Sequence, residues 1–272
     1  NKLFVIKQGD EIKGLIACIR DDFDSQMFGH NCYRIAELLV FDSNFTTISQ
    51  VVAMLVKAVE DLVPKNSYFS IAISNNSNQF DKVFNALTSC GYYYIHTLLT
   101  FSSIKKTFEE HSGKDGRVKI RLATPNDTDD VARIAGGSFQ FSRFHLDPYL
   151  DNSKASQLLS QSARNSIEKG FVDVMFVAEI DSKVVGYYSA KKRFVKEFNI
   201  TIGDLVISAI DSNYRGHGVF SALDSKIINW LSSNSDVSEM GTYLGNTPVH
   251  KTWINKGLGL IRGVHQLSKR LQ

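Results

Sequence analysis

Residues 206–223 read VISAIDSNYRGHGVFSAL, and this stretch decides the fold. Its first part belongs to an apolar strand predicted over residues 200–210, and its last part opens a helix. The turn between them contains Gly216 and Gly218. Glycines at a strand-to-helix turn allow backbone N–H groups to point outward, beside the positive end of the helix dipole. The stretch therefore predicts a diphosphate site, to which Arg215 can add charge-assisted hydrogen bonds.

Neither of the two common phosphate-binding loops accounts for this turn. A Walker loop requires G-x-x-x-x-G-K-[ST], which the sequence lacks. A Rossmann loop requires G-x-G-x-x-G soon after the first strand of a βαβ unit. Here Ser221 stands where the third glycine is required, and the preceding strand follows an antiparallel hairpin predicted over residues 172–195.

The remaining chain divides into two α/β parts around a charged segment that contains glycine and has no apolar period. We predict an N-terminal domain over residues 1–105, a linker over residues 106–116 and a second domain over residues 117–272. Residues 48–63 show the apolar spacing of an amphipathic helix. The strand over residues 200–210 is apolar at nearly every position of its second half, which is typical of a strand buried on both faces.

Bulk composition excludes several classes of function. The chain has 272 residues, of which 43% are hydrophobic, and its net charge of +3 is too small to indicate a nucleic-acid or membrane surface. No apolar run approaches the roughly 18–20 residues that span a bilayer, and the first residues lack the apolar core of a signal peptide. The spacing of Cys18, Cys32 and Cys90 indicates neither a disulfide framework nor a metal site. We therefore expect a cytoplasmic protein without a bound metal.

Residues 206–223 resemble the coenzyme-A segment of the GCN5-related N-acetyltransferases (GNATs). That segment has the pattern Q/R-x-x-G-x-G/A after a bulged central strand. Arg215 and Gly218 match the pattern, whereas Phe220 stands where the last Gly or Ala is usual.

A second stretch, GNTPVHKTWINKGLGL at residues 245–260, resembles the next segment of the family. Asn246 and Gly257 match it, and Trp253 stands where the family has a tyrosine. The resemblance covers residues 117–272 in the order of their elements. It implies an α/β fold of the α+β mixed-sheet type, the GNAT fold, in which helices flank a central mixed sheet. It also implies a smaller, degenerate GNAT-like N-terminal half, and acetyl-CoA (coenzyme A) as cofactor.

Three stretches also resemble one branch of the family, the TDP-fucosamine N-acetyltransferase branch, which acts on nucleotide-linked 4-amino-4,6-dideoxyhexoses. They are DDFDSQMFGHNCYRI (21–35), FQFSRFHLDPYL (139–150) and GNT (245–247). The branch implies transfer of an acetyl group to the amine of a nucleotide sugar in polysaccharide biosynthesis. The expected partner is a small molecule rather than nucleic acid or membrane, and a homodimer is one expected assembly. Another small amine or a peptide N-terminus as acceptor, and a non-catalytic acyl-CoA-binding module, are the alternatives.

The resemblance also implies the candidate binding residues. The pantetheine arm of coenzyme A pairs with the backbone of the splayed strand, and its diphosphate binds the glycine loop. The residues implied for coenzyme A are Ser208, Ala209, Ile210, Arg215, Gly216, His217, Gly218, Val219, Phe220 and Asn246. Those implied for the acceptor are Phe141, Ser142, Arg143, Phe144, His145 and Asp147.

The proton donor for the leaving thiolate is where this sequence departs from the family. The family uses a tyrosine hydroxyl, whereas the indole N–H of Trp253 has no practical acidity. Tyr243, Ser208 or a water molecule can take the role, or release is unassisted, or the protein is not an active acetyltransferase. Besides water, the candidates for the base that deprotonates the amine are Asp204, His145, Asp147 and Glu179.

Several of these residues equally fit ordinary structural roles. Arg143 fits a surface arginine whose stem packs on Phe141 and Phe144. Trp253 fits a packing residue, and Asn246 fits the N-cap of the following helix. The residues alone leave both interpretations open.

Overall fold

The computed structural model describes residues 2–77, 79–114, 116–139 and 141–272. The predicted linker includes Asp115 and the predicted acceptor stretch includes Gln140, and these two residues lie outside the described ones.

The first part of the chain alternates strands and helices. Its elements are β1 (Lys2–Gln8), β2 (Glu11–Arg20), α1 (Asp22–Phe28), β3 (Cys32–Val40), α2 (Phe45–Glu60), β4 (Tyr68–Ser74), α3 (Phe80–Ser89) and β5 (Tyr93–Ser103).

The second part begins with a strand and three helices, which precede an antiparallel run of strands. Its elements are β6 (Lys119–Leu122), α4 (Thr128–Ser138), α5 (Arg143–Leu146), α6 (Asn152–Glu168), β7 (Val174–Ile180), β8 (Lys183–Val195), β9 (Ile200–Ile210), α7 (Val219–Asn234), β10 (Val237–Tyr243), α8 (Thr247–Asn255) and β11 (Gly259–Arg270).

The chain forms two compact units. The first comprises Asn1–Leu99, Leu146–Asp151 and Arg262–Gln272, and the second comprises Thr100–His145 and Asn152–Ile261. Most of β11 belongs to the first unit because it pairs antiparallel with β4, from Val264 opposite Ser74 to Arg270 opposite Tyr68. The predicted domains assign that strand to residues 117–272, and their boundaries stay a prediction.

In the first unit the strands lie in the order β1-β2-β3-β4-β11-β5. The ladder between β3 and β4 is parallel and the other ladders described here are antiparallel. Helix α2 packs its apolar face, with Ile48 and Leu55, into a buried core that includes Phe69 and Leu87. The helix begins earlier than the apolar spacing predicts because the side chain of Asn44 accepts a hydrogen bond from the Thr46 N–H at 2.9 Å.

In the second unit the strands lie in the order β10-β9-β8-β7-β6. The predicted hairpin is confirmed as β7 and β8. Tyr187 of β8 packs in a core with Val131 of α4 and Ala163 of α6. The next residue, Tyr188, points to the opposite face, where its ring meets Phe220 of α7. Helices therefore pack on both faces of this mixed sheet at β8.

Strand β9 has the predicted bounds, but the prediction that both of its faces are buried is wrong. Only Ile202, Gly203 and Ala209 of this strand are buried, and Val206 is 40% exposed. The second half of β9 pairs with β8 on one edge, whereas its ladder with β10 ends at Asp204 on the other edge, so its apolar residues are only partly enclosed.

Candidate functional site

Two neighbouring strands of the second unit part from each other. β9 and β10 run parallel, and their ladder pairs Ile202–Asp204 with Val237–Glu239. The rest of β9, from Leu205 to Ile210, pairs with β8 on its other edge. The ladder with β10 does not extend to these residues, so backbone groups on that edge can pair with an extended ligand.

A β-bulge lies where the strands part. On β8, Ser189 is opposite Ile207 and the next residue, Ala190, is opposite Leu205. Val206 is therefore an extra residue on β9. Because a bulge bends its strand and increases the local twist, it turns the end of β9 away from β10. This is the bulged central strand that the family pattern implies.

Asp211 anchors the chain where it leaves β9. Its N–H donates to the carbonyl of Val185 at 2.9 Å. Its carboxylate accepts hydrogen bonds from Arg133 Nη1 at 2.8 Å and from the Asn213 N–H at 3.1 Å. The hydrogen bond from Arg133 outweighs burial and holds the pKa of Asp211 below its usual value. The start of the loop is thus tied to both β8 and α4.

The loop after this anchor exposes its backbone. Arg215, Gly216 and His217 are exposed, and Gly216 and Gly218 have φ angles of 84° and 82°, which favour glycine. Gly218 is the N-cap residue of α7. A Cβ on Gly216 would meet nothing within 4 Å, so the space beside the loop is open. The guanidinium of Arg215 donates to the Ser138 carbonyl at 3.0 Å and has further N–H donors.

Phe220 departs from the family pattern without occupying the loop. Its side chain is half-buried, and its ring centroid lies 5.8 Å from that of Tyr188. The preceding Val219 is 1% exposed. The bulky side chain packs toward the sheet, which is how the helix start accommodates it.

Trp253 is a core residue. It is 1% exposed, its ring packs at 5.4 Å from Phe101, and its Nε1–H donates to Asp224 Oδ1 at 2.9 Å. The carboxylate of Asp224, which is fully buried, also accepts hydrogen bonds from Lys256 Nζ at 2.6 Å and the Tyr188 hydroxyl at 3.3 Å. The single polar hydrogen of Trp253 is therefore engaged, in agreement with the packing interpretation.

Sequence reasoning missed this buried carboxylate, although a signal for it exists. Ile227 and Ile228 follow Asp224 by three and four residues and share its face of α7, and both are buried. A charge on an apolar helix face needs a partner. No comparable sequence signal marks Lys256 as that partner.

Tyr243 and Ser208, the two proton-donor candidates, lie on the parting strands. Tyr243 ends β10, and its ring stacks on Phe141 with centroids 5.7 Å apart and planes inclined by 7°. Ser208 lies on β9 opposite Tyr188. Both candidates are half-buried.

Asn246 is the N-cap residue of α8, but its side chain is not the cap. The side-chain amide donates to Thr242 Oγ1 at 2.9 Å. The backbone carbonyl of Asn246 accepts from the His250 N–H at 3.1 Å and begins the helix.

Comparison with known proteins finds similar solved structures but no similar sequence. No protein-family model and no curated protein sequence matches the chain. A GCN5-related N-acetyltransferase from Sphaerobacter thermophilus matches with a TM-score of 0.62 and 11% identity, over 96% of this chain and 78% of that chain. A tandem GNAT protein from the clavulanic acid biosynthesis pathway matches with a TM-score of 0.60 and 10% identity, over 98% of this chain and 82% of that chain. The chain has the GNAT fold. A GNAT-family acetyltransferase from Colwellia psychrerythraea also matches, with a TM-score of 0.56 and 14% identity, over 99% of this chain and 85% of that chain.

At these identities the likeness establishes the GNAT fold and nothing finer. The match to a tandem GNAT over nearly the whole chain fits the expectation of two GNAT-like halves.

Within the GNAT fold, His145 of the predicted acceptor stretch is held by two hydroxyls. Its Nδ1 lies 2.7 Å from Ser142 Oγ and its Nε2 lies 3.1 Å from Ser156 Oγ. Burial lowers the pKa of His145. Both ring nitrogens are therefore engaged within the protein.

The aromatic residues of the same stretch differ in exposure. Phe144 is buried and Phe141 is 58% exposed. The guanidinium carbon of Arg143 lies 3.9 Å from the centroid of the Phe144 ring, a cation–π contact. The contact involves the charged end of Arg143 rather than the packing of its stem on Phe141 and Phe144 that the sequence suggested. The ring of Phe141 stays exposed, as does that of Tyr149.

Asp147 has the contacts of a structural residue in the first unit. It is 2% exposed, and its carboxylate accepts hydrogen bonds from the hydroxyls of Tyr68 at 2.6 Å and Tyr93 at 3.1 Å. It also accepts from the Tyr149 N–H at 2.9 Å. Burial, reinforced by this carboxylate, raises the pKa of both tyrosines above its usual range.

Of the carboxylates proposed as the base, Asp204 lies on the parting strands. It pairs with Glu239 at the last step of the β9–β10 ladder, and its Oδ2 lies 2.7 Å from Arg193 Nε. Arg193 Nη2 also lies 3.4 Å from Glu239 Oε2. Glu179, on β7, binds Arg121 at 2.6 Å instead.

The described residues contain neither a metal-binding cluster nor a membrane-spanning helix. No group of three or more His, Cys, Asp or Glu side chains is placed there to hold a metal ion. Within the same residues, no helix is both long and apolar enough to cross a membrane.

Proposed function

We propose that the chain is an acetyl-CoA-dependent N-acetyltransferase whose acceptor is the amine of a nucleotide-linked amino-deoxy sugar, of the dTDP-4-amino-4,6-dideoxyhexose type. One observation carries the acyl-transfer part. β9 bulges and parts from β10, and the same strand then leads into an exposed glycine loop that opens α7. An open strand edge suits the amide-containing arm of coenzyme A, and a helix start suits its diphosphate.

The residues present fit this cofactor. We assign the backbone of Ser208, Ala209 and Ile210 to the pantetheine arm, because these residues lie on the edge of β9 beyond its ladder with β10. We assign the loop N–H groups from Gly216 through Phe220, together with the guanidinium of Arg215, to the diphosphate, because the space beside Gly216 is open. The N–H of Arg215 itself donates to the Ser212 carbonyl at 3.4 Å. Asn246, at the start of the neighbouring helix α8, is assigned a supporting contact with coenzyme A.

Acetyl-CoA supplies the acetyl group as a thioester. In the transfer, the acceptor nitrogen forms a bond to the acetyl carbon and the carbon–sulfur bond breaks. The nitrogen loses one proton and the sulfur gains one. We assign Asp204 to accept the first proton, directly or through water, because it lies where the strands part and Arg193 holds its carboxylate in place.

The second proton needs a donor other than Trp253, whose N–H binds a buried carboxylate. We assign Tyr243 to this role because it ends β10 beyond the parting point and is half-buried. Ser208, on the facing strand β9, is the alternative donor.

The acceptor assignment is supported by the resemblance of residues 139–150 and by one surface. The exposed ring of Phe141, stacked on Tyr243, offers a flat apolar face to a nucleobase or sugar ring. Arg143 has N–H donors for a phosphate. Asp147 is not part of the proposed site, because its carboxylate is buried and bound to tyrosines.

Isothermal titration with acetyl-CoA tests the cofactor, and a thiol-release assay tests the acceptor. Binding is expected for the wild-type chain and is expected to vanish in Gly218→Trp, provided that this variant keeps the wild-type melting temperature. Release of thiol is expected with a nucleotide-linked 4-amino sugar and not with a simple polyamine or a peptide. The absence of binding at millimolar acetyl-CoA would refute the proposal, and turnover with the polyamine alone would replace the sugar with another small amine.

A second candidate function is a non-catalytic acyl-CoA-binding module. The observation in its favour is that Trp253 replaces the family tyrosine and faces Asp224 rather than the open strand edge. Binding of acetyl-CoA without thiol release across the whole acceptor panel would select this function over the enzyme.

A further inference from the structure

Residues 106–114, which belong to the linker predicted over residues 106–116, form an extended segment along helix α7. We call residues 106–114 the strap. Four of its residues contact one face of the helix in succession toward the helix N-terminus. The pairs are Lys106 with Ser232, Phe108 with Asn229, Glu110 with Lys226 and His111 with Ser221. The strap is therefore part of the second unit rather than a free connection.

Asn229 holds the strap most specifically. Its Oδ1 accepts the Phe108 N–H at 2.7 Å, and its Nδ2 donates to the Phe108 carbonyl at 2.8 Å. One side chain thereby satisfies both backbone groups of a residue that has no strand partner of its own.

The far end of the strap touches the glycine loop backbone to backbone. The Lys114 N–H donates to the carbonyl of His217 at 3.1 Å. A Cβ on Gly113 would lie 2.8 Å from that carbonyl oxygen and 2.5 Å from Val118 Cγ2, and a Cβ on Gly218 would lie 3.0 Å from Gly113 Cα. Contacts this close require glycine on both sides.

We infer that the strap positions the cofactor loop by fixing the peptide between His217 and Gly218. The carbonyl and the N–H of a trans peptide point in opposite directions, and the described residues contain no cis peptide. Because the His217 carbonyl points at the strap, the Gly218 N–H points away from it, to the side on which a diphosphate can bind. This inference rests on the proposed function, since it assigns a role toward the same coenzyme-A site.

The test compares Gly113→Ala with Gly116→Ala. The two glycines have φ angles of 75° and 72°, so alanine is strained to a similar extent at both. Only at Gly113 would the new Cβ meet the loop, since at Gly116 it would meet nothing within 4 Å. Gly113→Ala is expected to raise the Kd for coenzyme A about tenfold, the loss of one hydrogen bond to a charged group. KM for acetyl-CoA is expected to rise with it while kcat is unchanged, and Gly116→Ala is expected to bind as the wild type does.

Asn229→Ala provides a second test that leaves the loop sequence intact. Asn229 lies eleven residues after Gly218, about 16 Å along the helix, so it cannot touch the diphosphate itself. A rise in the Kd for coenzyme A in this variant, with a melting temperature that stays within the range of Gly116→Ala, supports positioning by the strap.

The outcomes separate the two proposals. If the wild type binds coenzyme A and both Gly113→Ala and Asn229→Ala bind it equally well, the strap inference is overturned and the proposed function stands. A lowered melting temperature without a change in Kd has the same meaning. If the wild type does not bind coenzyme A, the proposed function fails and the strap inference fails with it.

Discussion

Replacing Lys256 with methionine is expected to destabilise the second unit strongly, because it leaves the carboxylate of Asp224 without a cation. The Asp224 side chain is fully buried, and Lys256 Nζ lies 2.6 Å from its Oδ2. In Lys256→Met the carboxylate keeps the Trp253 Nε1–H and the Tyr188 hydroxyl as donors, and both are neutral. Methionine retains most of the apolar stem, so the change is chiefly one of charge.

The magnitude follows from the burial of the pair. Removing one partner of a buried ion pair costs about 3–5 kcal/mol. Lys256 is 14% exposed and two neutral donors remain, which places the expected loss at the lower end, about 3 kcal/mol. Lys226→Met on α7 is the matched control, because its pair with Glu110 has side-chain exposures of 34% and 52%. An exposed pair of this kind contributes less than about 1 kcal/mol.

Urea unfolding followed by tryptophan fluorescence measures this difference. Both tryptophans of the chain, Trp230 and Trp253, lie in the second unit, so the signal reports that unit. The double variant Asp224→Asn with Lys256→Met should recover part of the loss, because no unpaired charge remains buried.

Equal losses in Lys256→Met and Lys226→Met would refute the reasoning. So would a double variant less stable than Lys256→Met alone, since that would mean that the carboxylate itself, rather than its pairing, stabilises the fold.

Three further predictions concern the loop, the tryptophan and pH. Gly216→Asp should weaken coenzyme-A binding at least about tenfold in titration calorimetry, more at low salt, because it places a negative charge beside the diphosphate. Gly216→Ala, whose backbone strain at this φ of 84° is at least as large as that of aspartate, is the control and should bind nearly as the wild type. Trp253→Tyr should not raise the rate of thiol release, because the side chain faces Asp224, and a rate increase would contradict that placement. The hydrogen bond from Arg121 lowers the pKa of Asp127 from 3.8 to about 2, so this carboxylate stabilises the fold above about pH 4 and the stabilisation is lost as pH falls toward 2. The free energy of unfolding of the wild type therefore falls as pH drops through this range, and in Asp127→Asn this fall should be smaller by about 1–2 kcal/mol. The figure is discounted for solvent screening because Arg121 is partly exposed.

Local patterns in the sequence predict much of the secondary structure. The strand at residues 200–210 has the predicted bounds, and the helix predicted at residues 48–63 is α2 at Phe45–Glu60. Such elements follow from side-chain periodicity and from glycines whose φ angles suit tight turns, as at Gly216 and Gly218. Both signals arise from residues that are neighbours in the sequence, so they are visible without knowledge of the tertiary structure.

Burial and partner choice could not be predicted in the same way. The apolar run of β9 indicates a buried strand, yet a bulge at Val206 opens one edge of it. The sequence places Asp147 among the predicted acceptor-binding residues, beside Arg143. In the structure its carboxylate instead binds the hydroxyl of Tyr68, 79 residues away in the chain. Both outcomes depend on contacts between residues that are distant in sequence.

By itself, the sequence determined the strand, the glycine turn and the helix that follow one another at residues 200–234, because these are local choices of backbone dihedral angle and hydrophobic period. Tertiary structure decided what surrounds them: the parting of β9 from β10, the strap along α7 and the engagement of Trp253 by Asp224. The physical reason is that hydrogen-bond donors and buried charges must be satisfied by whichever groups the fold brings near them. Those groups come from segments whose proximity no local pattern records.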